Sequence, residues 1–413
     1  MRRWTAPSRA RVAAFFAVMG PGIITGFAGN DAGGVATYTA VGAHYGFALL
    51  WLLVVSTLGL VVVQEMCARM GAVTGKGLSD LIREHFGVRW TILAMVALLI
   101  ANGSNVVAEF AGIAASLELL GVHRALSVPV AAFAIWFIVV FFTYRVVERT
   151  LFVLILAFVA YPISAFIVRP DWASVARGLV LPVLPPNEAA VIAALALVGT
   201  TLTPYMQFYI QASVVDKGID LEAYRFARID VVLGAVLTGV NGFFIIMVAG
   251  AVLFPAHVVV QSAEEAARAL VPLAGSSAGL LFGVGLFGAS VLAAAVMPLS
   301  TAYAVTEAFG WESGISKRFG EAPIFMGLFT FLLAAGALVV GLSAFPLVPL
   351  ILVSQNVNGL LLPVILYFIL RLAGDRAIMG AHANGPLSRV IGVGIAAIAS
   401  ALSVALVILN LLP

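Results

Sequence analysis

The chain has 413 residues, 62% of them hydrophobic and only 10% charged, with a mean hydropathy of +1.12. Soluble domains carry about a quarter charged residues, so this composition excludes a water-soluble globular protein and predicts an all-α polytopic membrane protein. The net charge of +3 reflects basic loops and implies no nucleic-acid partner, while the single cysteine, Cys67, excludes an internal disulfide framework.

The chain opens with Arg2, Arg3, Arg9 and Arg11 ahead of an apolar run. This pattern is close to a signal peptide, but no small-residue cleavage site follows, and the run is expected to be kept as a first membrane helix. Inside it lies Gly20-Pro21-Gly22-Ile23-Ile24-Thr25-Gly26-Phe27-Ala28-Gly29-Asn30-Asp31-Ala32-Gly33-Gly34. Glycine weakens a helix through backbone entropy, and proline removes a donor. Unwound backbone at membrane depth is tolerated only when it is buried in protein or lines a cavity. An ionisable group there is costly, which makes Asp31 a functional-site candidate; the plainer alternative is an interfacial residue at a helix end.

Apolar runs of roughly 20 residues predict eleven spans, near 12–43, 46–72, 91–121, 127–144, 150–168, 189–214, 227–254, 273–307, 324–343, 346–371 and 389–411. In the third, Asn102, Asn105 and Glu109 share one helical face, and no Lys or Arg lies between Arg89 and Arg124. The sixth is interrupted at Gly199-Thr200-Thr201-Leu202-Thr203-Pro204, followed by Gln207 and Gln211. Asp230 and Asn241 fall in the seventh, and Gln355, Asn356 and Asn358 in the tenth. Buried asparagines also serve as plain interhelical hydrogen bonders. The stretches Lys76–Arg89 and Lys217–Arg228 read as solvated connectors, and Pro255–Arg268, with Glu264 and Glu265, as an outer loop. The five histidines, His44, His85, His123, His257 and His382, all fall at or near span ends.

Two broken helices, each opening a group of five spans, point to inverted repeats with a site near the bilayer midplane. Counting Lys and Arg by side gives 18 against 4, which predicts a cytoplasmic N-terminus and an extracytoplasmic C-terminus. The expected location is the plasma membrane, the inner membrane of a bacterium.

The order of these features resembles the NRAMP family of divalent-metal transporters, and within it the NRAMP-related magnesium transporter branch. The resemblance rests on Gly20-Pro21-Gly22, on Asn30-Asp31-Ala32-Gly33-Gly34 and on Glu109 in Ala108-Glu109-Phe110-Ala111-Gly112. It continues through the Gly199–Pro204 break, Asp230 with Asn241, and Ser354-Gln355. It implies a LeuT-type fold: two inverted five-helix repeats, at about 12–168 and about 189–371, with helices 1 and 6 broken. An eleventh helix at about 389–411 completes one transmembrane domain over residues 1–413. A metal would lie between the two breaks.

Departures from the family pattern carry information. Asp-Pro-Gly-Asn of helix 1 reads Asp31-Ala32-Gly33-Gly34, which loses the asparagine ligand. Met-Pro-His of helix 6 reads Thr203-Pro204-Tyr205, so the thioether and the histidine are gone. Val106 stands where an acid is expected, and the ninth span, Ile324–Leu342, has no arginine pair. Oxygen ligands suit Mg2+ and Mn2+, and Mg2+ keeps several waters while using one or two carboxylates.

The expected metal ligands are therefore Asp31, Thr200, Thr203, Gln355 and Glu109, with Asn30, Gly34, Asn105, Gln207 and Asp230 in support. The hydroxyls could instead cap the broken helices and leave carbonyls near Thr200 to touch the metal. The cargo is expected to be Mg2+, then Mn2+, moved without tight proton coupling by a monomer in the bilayer, with no cofactor. The alternatives are a proton-coupled Mn2+/Fe2+ transporter and an amino-acid transporter of the same fold. An enzyme would need a catalytic acid, base or nucleophile set, and none is evident.

Overall fold

The computed structural model describes residues 20–258, 276–342 and 348–411. The arginines of the first eleven residues, the start of the first span, and the Glu264–Glu265 loop segment lie outside the described residues.

Every regular element among the described residues is helical. Its first half comprises α1 (Pro21–Ala28), α2 (Ala32–Tyr45), α3 (Leu50–Thr74), α4 (Leu78–Phe86), α5 (Val88–Glu118), α6 (Arg124–Phe141), α7 (Tyr144–Ile155), α8 (Ala160–Val168) and α9 (Trp172–Val180). Then come α10 (Glu188–Thr201), α11 (Pro204–Asp216), α12 (Tyr224–Val252), α13 (Ser276–Phe309), α14 (Pro323–Leu342), α15 (Val348–Gly374), α16 (Arg376–Met379) and α17 (Pro386–Leu411). One turn of 3-10 helix, Leu156–Val159, joins α7 to α8 into a single pass. Among the described residues nine segments are long and apolar enough to cross a membrane, and the α10–α11 pair counts as one of them.

Both expected breaks are present. Gly29 ends α1, and extended backbone at Asp31 starts α2. In the sixth pass α10 ends at Thr201, and Pro204 occupies the first turn of α11. Proline suits a helix start because its missing N–H would be unpartnered there anyway.

Two connectors differ from expectation. Lys76–Arg89 is not a solvated loop. It holds α4, which buries Leu78, Leu81 and Ile82 and exposes Glu84 and His85. The three apolar residues sit at helical spacing, so one face of a short helix can dock on the bundle. The second difference is α9, which no apolar run announced. Asp171 caps it, and the hydrogen bond from the Ser174 hydroxyl, with others from Ala173 and Ser174 N–H, holds the Asp171 carboxyl below the usual carboxylate range.

The core around the breaks is built on α12, which packs against α1, α2 and α3. Here glycine is required by close approach. A Cβ on Gly22 would lie 2.5 Å from the Val231 backbone, and one on Gly234 would lie 2.1 Å from the Gly22 carbonyl oxygen. Backbone meets backbone along this seam, the packing mode membrane helices reach through small residues.

Candidate metal centre

The two carboxylates closest to the first break both face the start of α2. Asp31 is its N-cap, with Oδ1 accepting from Gly34 N–H at 2.5 Å, and Glu109 Oε2 accepts from Ala32 N–H at 3.0 Å. A helix N-terminus carries partial positive charge and unpaired amides, so both acids are held there by charge and geometry. Each keeps a second oxygen. Among the described residues, neither Asp31 Oδ2 nor Glu109 Oε1, both buried, has a hydrogen-bond partner.

The second break meets the first at Gly34. A Cβ on Gly34 would sit 3.1 Å from Gly29 O, 3.2 Å from Asp31 Oδ1 and 3.2 Å from Thr200 Oγ1. Three oxygens from two broken helices thus converge beside a residue with no side chain. Thr200 Oγ1 is buried without a partner among the described residues, whereas Thr203 Oγ1 donates to Thr200 O at 2.9 Å. Thr203 therefore ties off the end of α10 and keeps only its lone pairs for other use.

The tenth pass closes one side. A Cβ on Gly33 would stand 2.0 Å from Gln355 Nε2 and 3.3 Å from Asp31 Oδ1, so the Gln355 amide lies over the same turn. Asn358 donates to Gln355 Oε1 at 3.3 Å and exchanges hydrogen bonds of 3.4 Å with Asn105. Asn105 thus reaches the site through Asn358. Asn30 donates to Thr238 O at 3.2 Å and has an unpartnered Oδ1. Gln207 accepts from Cys67 Sγ at 4.0 Å, and its Nε2 is unpartnered.

One expected supporting residue lies elsewhere. Asp230 accepts from Gly22 N–H at 2.6 Å and from Ile23 N–H at 3.4 Å, capping the far end of α1. It precedes Thr238, which touches Asn30, by eight residues, or about 12 Å of helix rise. The correction has a simple cause: α1 starts with glycine and proline and has no capping side chain of its own.

Three further residues near the breaks were not among the expected site residues. Tyr205 stands where the family has histidine, and its hydroxyl donates to Ala28 O at 2.6 Å, satisfying a carbonyl freed at the end of α1. The Met206 Sδ lies 2.7 Å from where a Gly29 Cβ would be, so a thioether does reach the first break, from three residues beyond the expected position. Gln64 of α3 is fully buried, and among the described residues neither of its amide atoms has a partner. Cys67 faces Gln207 and Gly71 faces Gln211, and the same offset sets Gln64 level with Pro204 at the second break. The available signal was a glutamine closing the apolar run Leu58–Val63, just ahead of Glu65.

Among the described residues no three His, Cys, Asp or Glu side chains gather to hold a metal. What gathers is two carboxylates, hydroxyls, amides and carbonyls. Solved structures share the architecture. An Eremococcus coleocola manganese transporter, in complex with an aromatic bis-isothiourea compound, matches with a TM-score of 0.80 at 22% identity, covering 98% of this chain and 88% of that one. The nucleobase-cation-symport-1 transporter Mhp1 matches at 0.56 and 14% identity, covering 94% and 92%, and the fold is of the LeuT type. In sequence, a Ralstonia nicotianae protein named divalent metal cation transporter MntH is 30% identical over 404 residues, 89% of this chain and 85% of the relative. An Acidiphilium cryptum protein of the same name is 29% identical, over 94% of this chain and 89% of the relative. The family model for natural resistance-associated macrophage protein-like proteins matches residues 22–409, and the chain belongs to that family, NRAMP.

Proposed function

We propose that this chain carries divalent metal ions across the membrane by alternating access, with Mg2+ and Mn2+ as cargo and no tight coupling to protons. The observation that carries this reading is the set of buried, unpartnered oxygens on Asp31, Glu109 and Thr200 where the two helix breaks meet. A buried carboxylate oxygen with no donor is costly, and a divalent cation is the partner that satisfies several at once. Asp31 would bind the ion directly, Thr200 and Gln355 would complete its oxygen shell, and Glu109 would neutralise the second charge. Mg2+ keeps part of its hydration, and the missing side chain at Gly34 leaves a point 3.1–3.2 Å from three oxygens.

An amino-acid substrate fits less well. The amides at the start of α2 that would receive its carboxylate are already taken by Asp31 and Glu109. Proton-coupled Mn2+ transport is the stronger rival. The relatives named for divalent cations and manganese favour it, and so does the Met206 thioether beside Gly29, because sulfur prefers softer metals.

Uptake of Mg2+, Mn2+, Ca2+ and Fe2+ measured separately in proteoliposomes at fixed ionic strength tests the reading. Saturable Mg2+ entry is expected in the native protein and none in Asp31→Ala, with the variant still monodisperse. Native-like transport by Asp31→Ala would overturn the site.

A further inference from the structure

The basic end of the bundle holds a cavity of about 430 Å³ that the transport site does not use, walled by α4, the end of α15, the following loop and the start of α17. Arg371, Arg389 and His85 line it, with Phe86 and Val393 as apolar walls and Asn384 on the loop. The volume falls within the range of small-molecule sites.

Its lining sets two arginines against one carboxylate. Among the described residues neither Arg371 nor Arg389 has a carboxylate within ion-pair distance. The one acid in the lining, Asp375, accepts a hydrogen bond from Ala377 N–H at 2.8 Å and caps α16. Arg389 sits in the first turn of α17, where the helix dipole already makes the potential positive and where no acidic residue lies. Gly385 precedes that helix and has no side chain to cap it.

The cavity is also held open. Arg69 of α3 donates to His382 O at 2.7 Å and to Asn384 Oδ1 at 2.6 Å, pinning the loop that carries Asn384. On the outer side the surface is apolar: Leu387 is 73% exposed, Val390 70% and Val393 52%, and Tyr367 stands beside Phe86. Farther along α17, Val404, Val407 and Ile408 extend the exposed apolar strip. A charged socket that opens onto a lipid-facing helix matches a molecule with a phosphate at one end and hydrocarbon at the other. Free phosphate would leave the apolar rim unused.

We propose that this cavity binds the headgroup of an anionic phospholipid, with Arg371 and Arg389 clasping the phosphate and an acyl chain lying along α17. Arginine suits the role because its planar fork pairs with phosphate oxygens in a bidentate manner. Basic pockets between membrane helices are known to take such headgroups.

The test uses the full chain in detergent, titrated with phosphatidylglycerol or phosphatidylcholine and followed by native mass spectrometry and thermal midpoint. Phosphatidylglycerol should be retained and should raise the midpoint; phosphatidylcholine should do neither. In Arg371→Gln/Arg389→Gln the affinity for phosphatidylglycerol should fall about thirtyfold, two charges at the strength typical of basic residues against anionic lipid. Arg376→Gln removes a charge from the same end but outside the cavity lining, and should change nothing. Equal retention by the double variant, or an equal fall in Arg376→Gln, would overturn the proposal. Displacement of the lipid by inorganic phosphate, with the same rise in midpoint, would overturn the lipid assignment. If the double variant is not monodisperse, exposed Arg389→Gln alone should lower the affinity severalfold, and no change there would refute the site.

Discussion

At the scale of single residues, selectivity turns on which donor faces the ion. Thr203 spends its hydroxyl hydrogen on Thr200 O, and Met206 brings sulfur to the other break. Thr203→Met places a second thioether at the position the wider family uses. We expect Mn2+ or Cd2+ to gain about tenfold over Mg2+ in competition uptake, equivalent to about 1.4 kcal/mol. Unchanged relative affinities would mean that residue 203 does not face the ion. Met206→Leu, near in volume, should move the ratio the other way, because it removes the one soft donor beside Gly29 while keeping the packing. If Mn2+ uptake relative to Mg2+ is unaltered, Met206 is only a packing residue.

At the scale of elements, the question is what holds the short helix α1. It buries all eight of its residues yet offers no capping side chain, so its start depends on Asp230 and its side on the glycine seam with α12. Asp230→Ala leaves the Gly22 and Ile23 amides unpartnered and should cost about 1–2 kcal/mol, read as a lowered thermal midpoint in detergent. Gly234→Ala drives a methyl into the Gly22 carbonyl, a backbone atom that cannot move aside alone, and overpacking of this kind costs about 1–3 kcal/mol. Should either variant match the native midpoint, α1 is docked by something other than this contact. The two substitutions act on one helix, so their effects are not expected to add.

At the scale of the whole molecule, the expectation is passive entry driven by the metal gradient and an inside-negative potential acting on a divalent charge. One hydrogen-bonded path leading from the site is built of uncharged groups. Asn105, Asn358 and Gln355 form a chain of amides, and the Asn102 Nδ2 donates to Thr301 Oγ1 at 2.7 Å one turn farther along α5. Amides hydrogen-bond but do not exchange a net charge near neutral pH, whereas histidine does. Val106 supplies no titrating group, and Tyr205 offers a phenol in place of an imidazole, at the positions where the family has an acid and a histidine. A pH-sensitive dye inside proteoliposomes should therefore show no acidification that saturates with Mg2+ or Mn2+ entry. Saturable acidification that vanishes in Glu109→Gln would show that Glu109 carries protons and would overturn uncoupled transport.

What the amino-acid sequence determined by itself follows from local chemistry. Glycine and proline clustered in one apolar run weaken a helix locally, and a carboxylate there is costly anywhere in a membrane; both breaks, and the placing of Asp31 and Glu109 inside the bundle, were legible for that reason. The roles of Gln64, Tyr205, Met206 and Asp230 were not. These residues lie in helices apolar on nearly every face, so periodicity carries little information about which side chain meets which neighbour. Only the tertiary structure decided that α3 runs beside α11 with Gln64 level with Pro204, that Met206 reaches across to Gly29, and that Asp230 caps α1. Those contacts depend on helix register across more than a hundred residues of chain, a quantity set by packing and not by any local pattern.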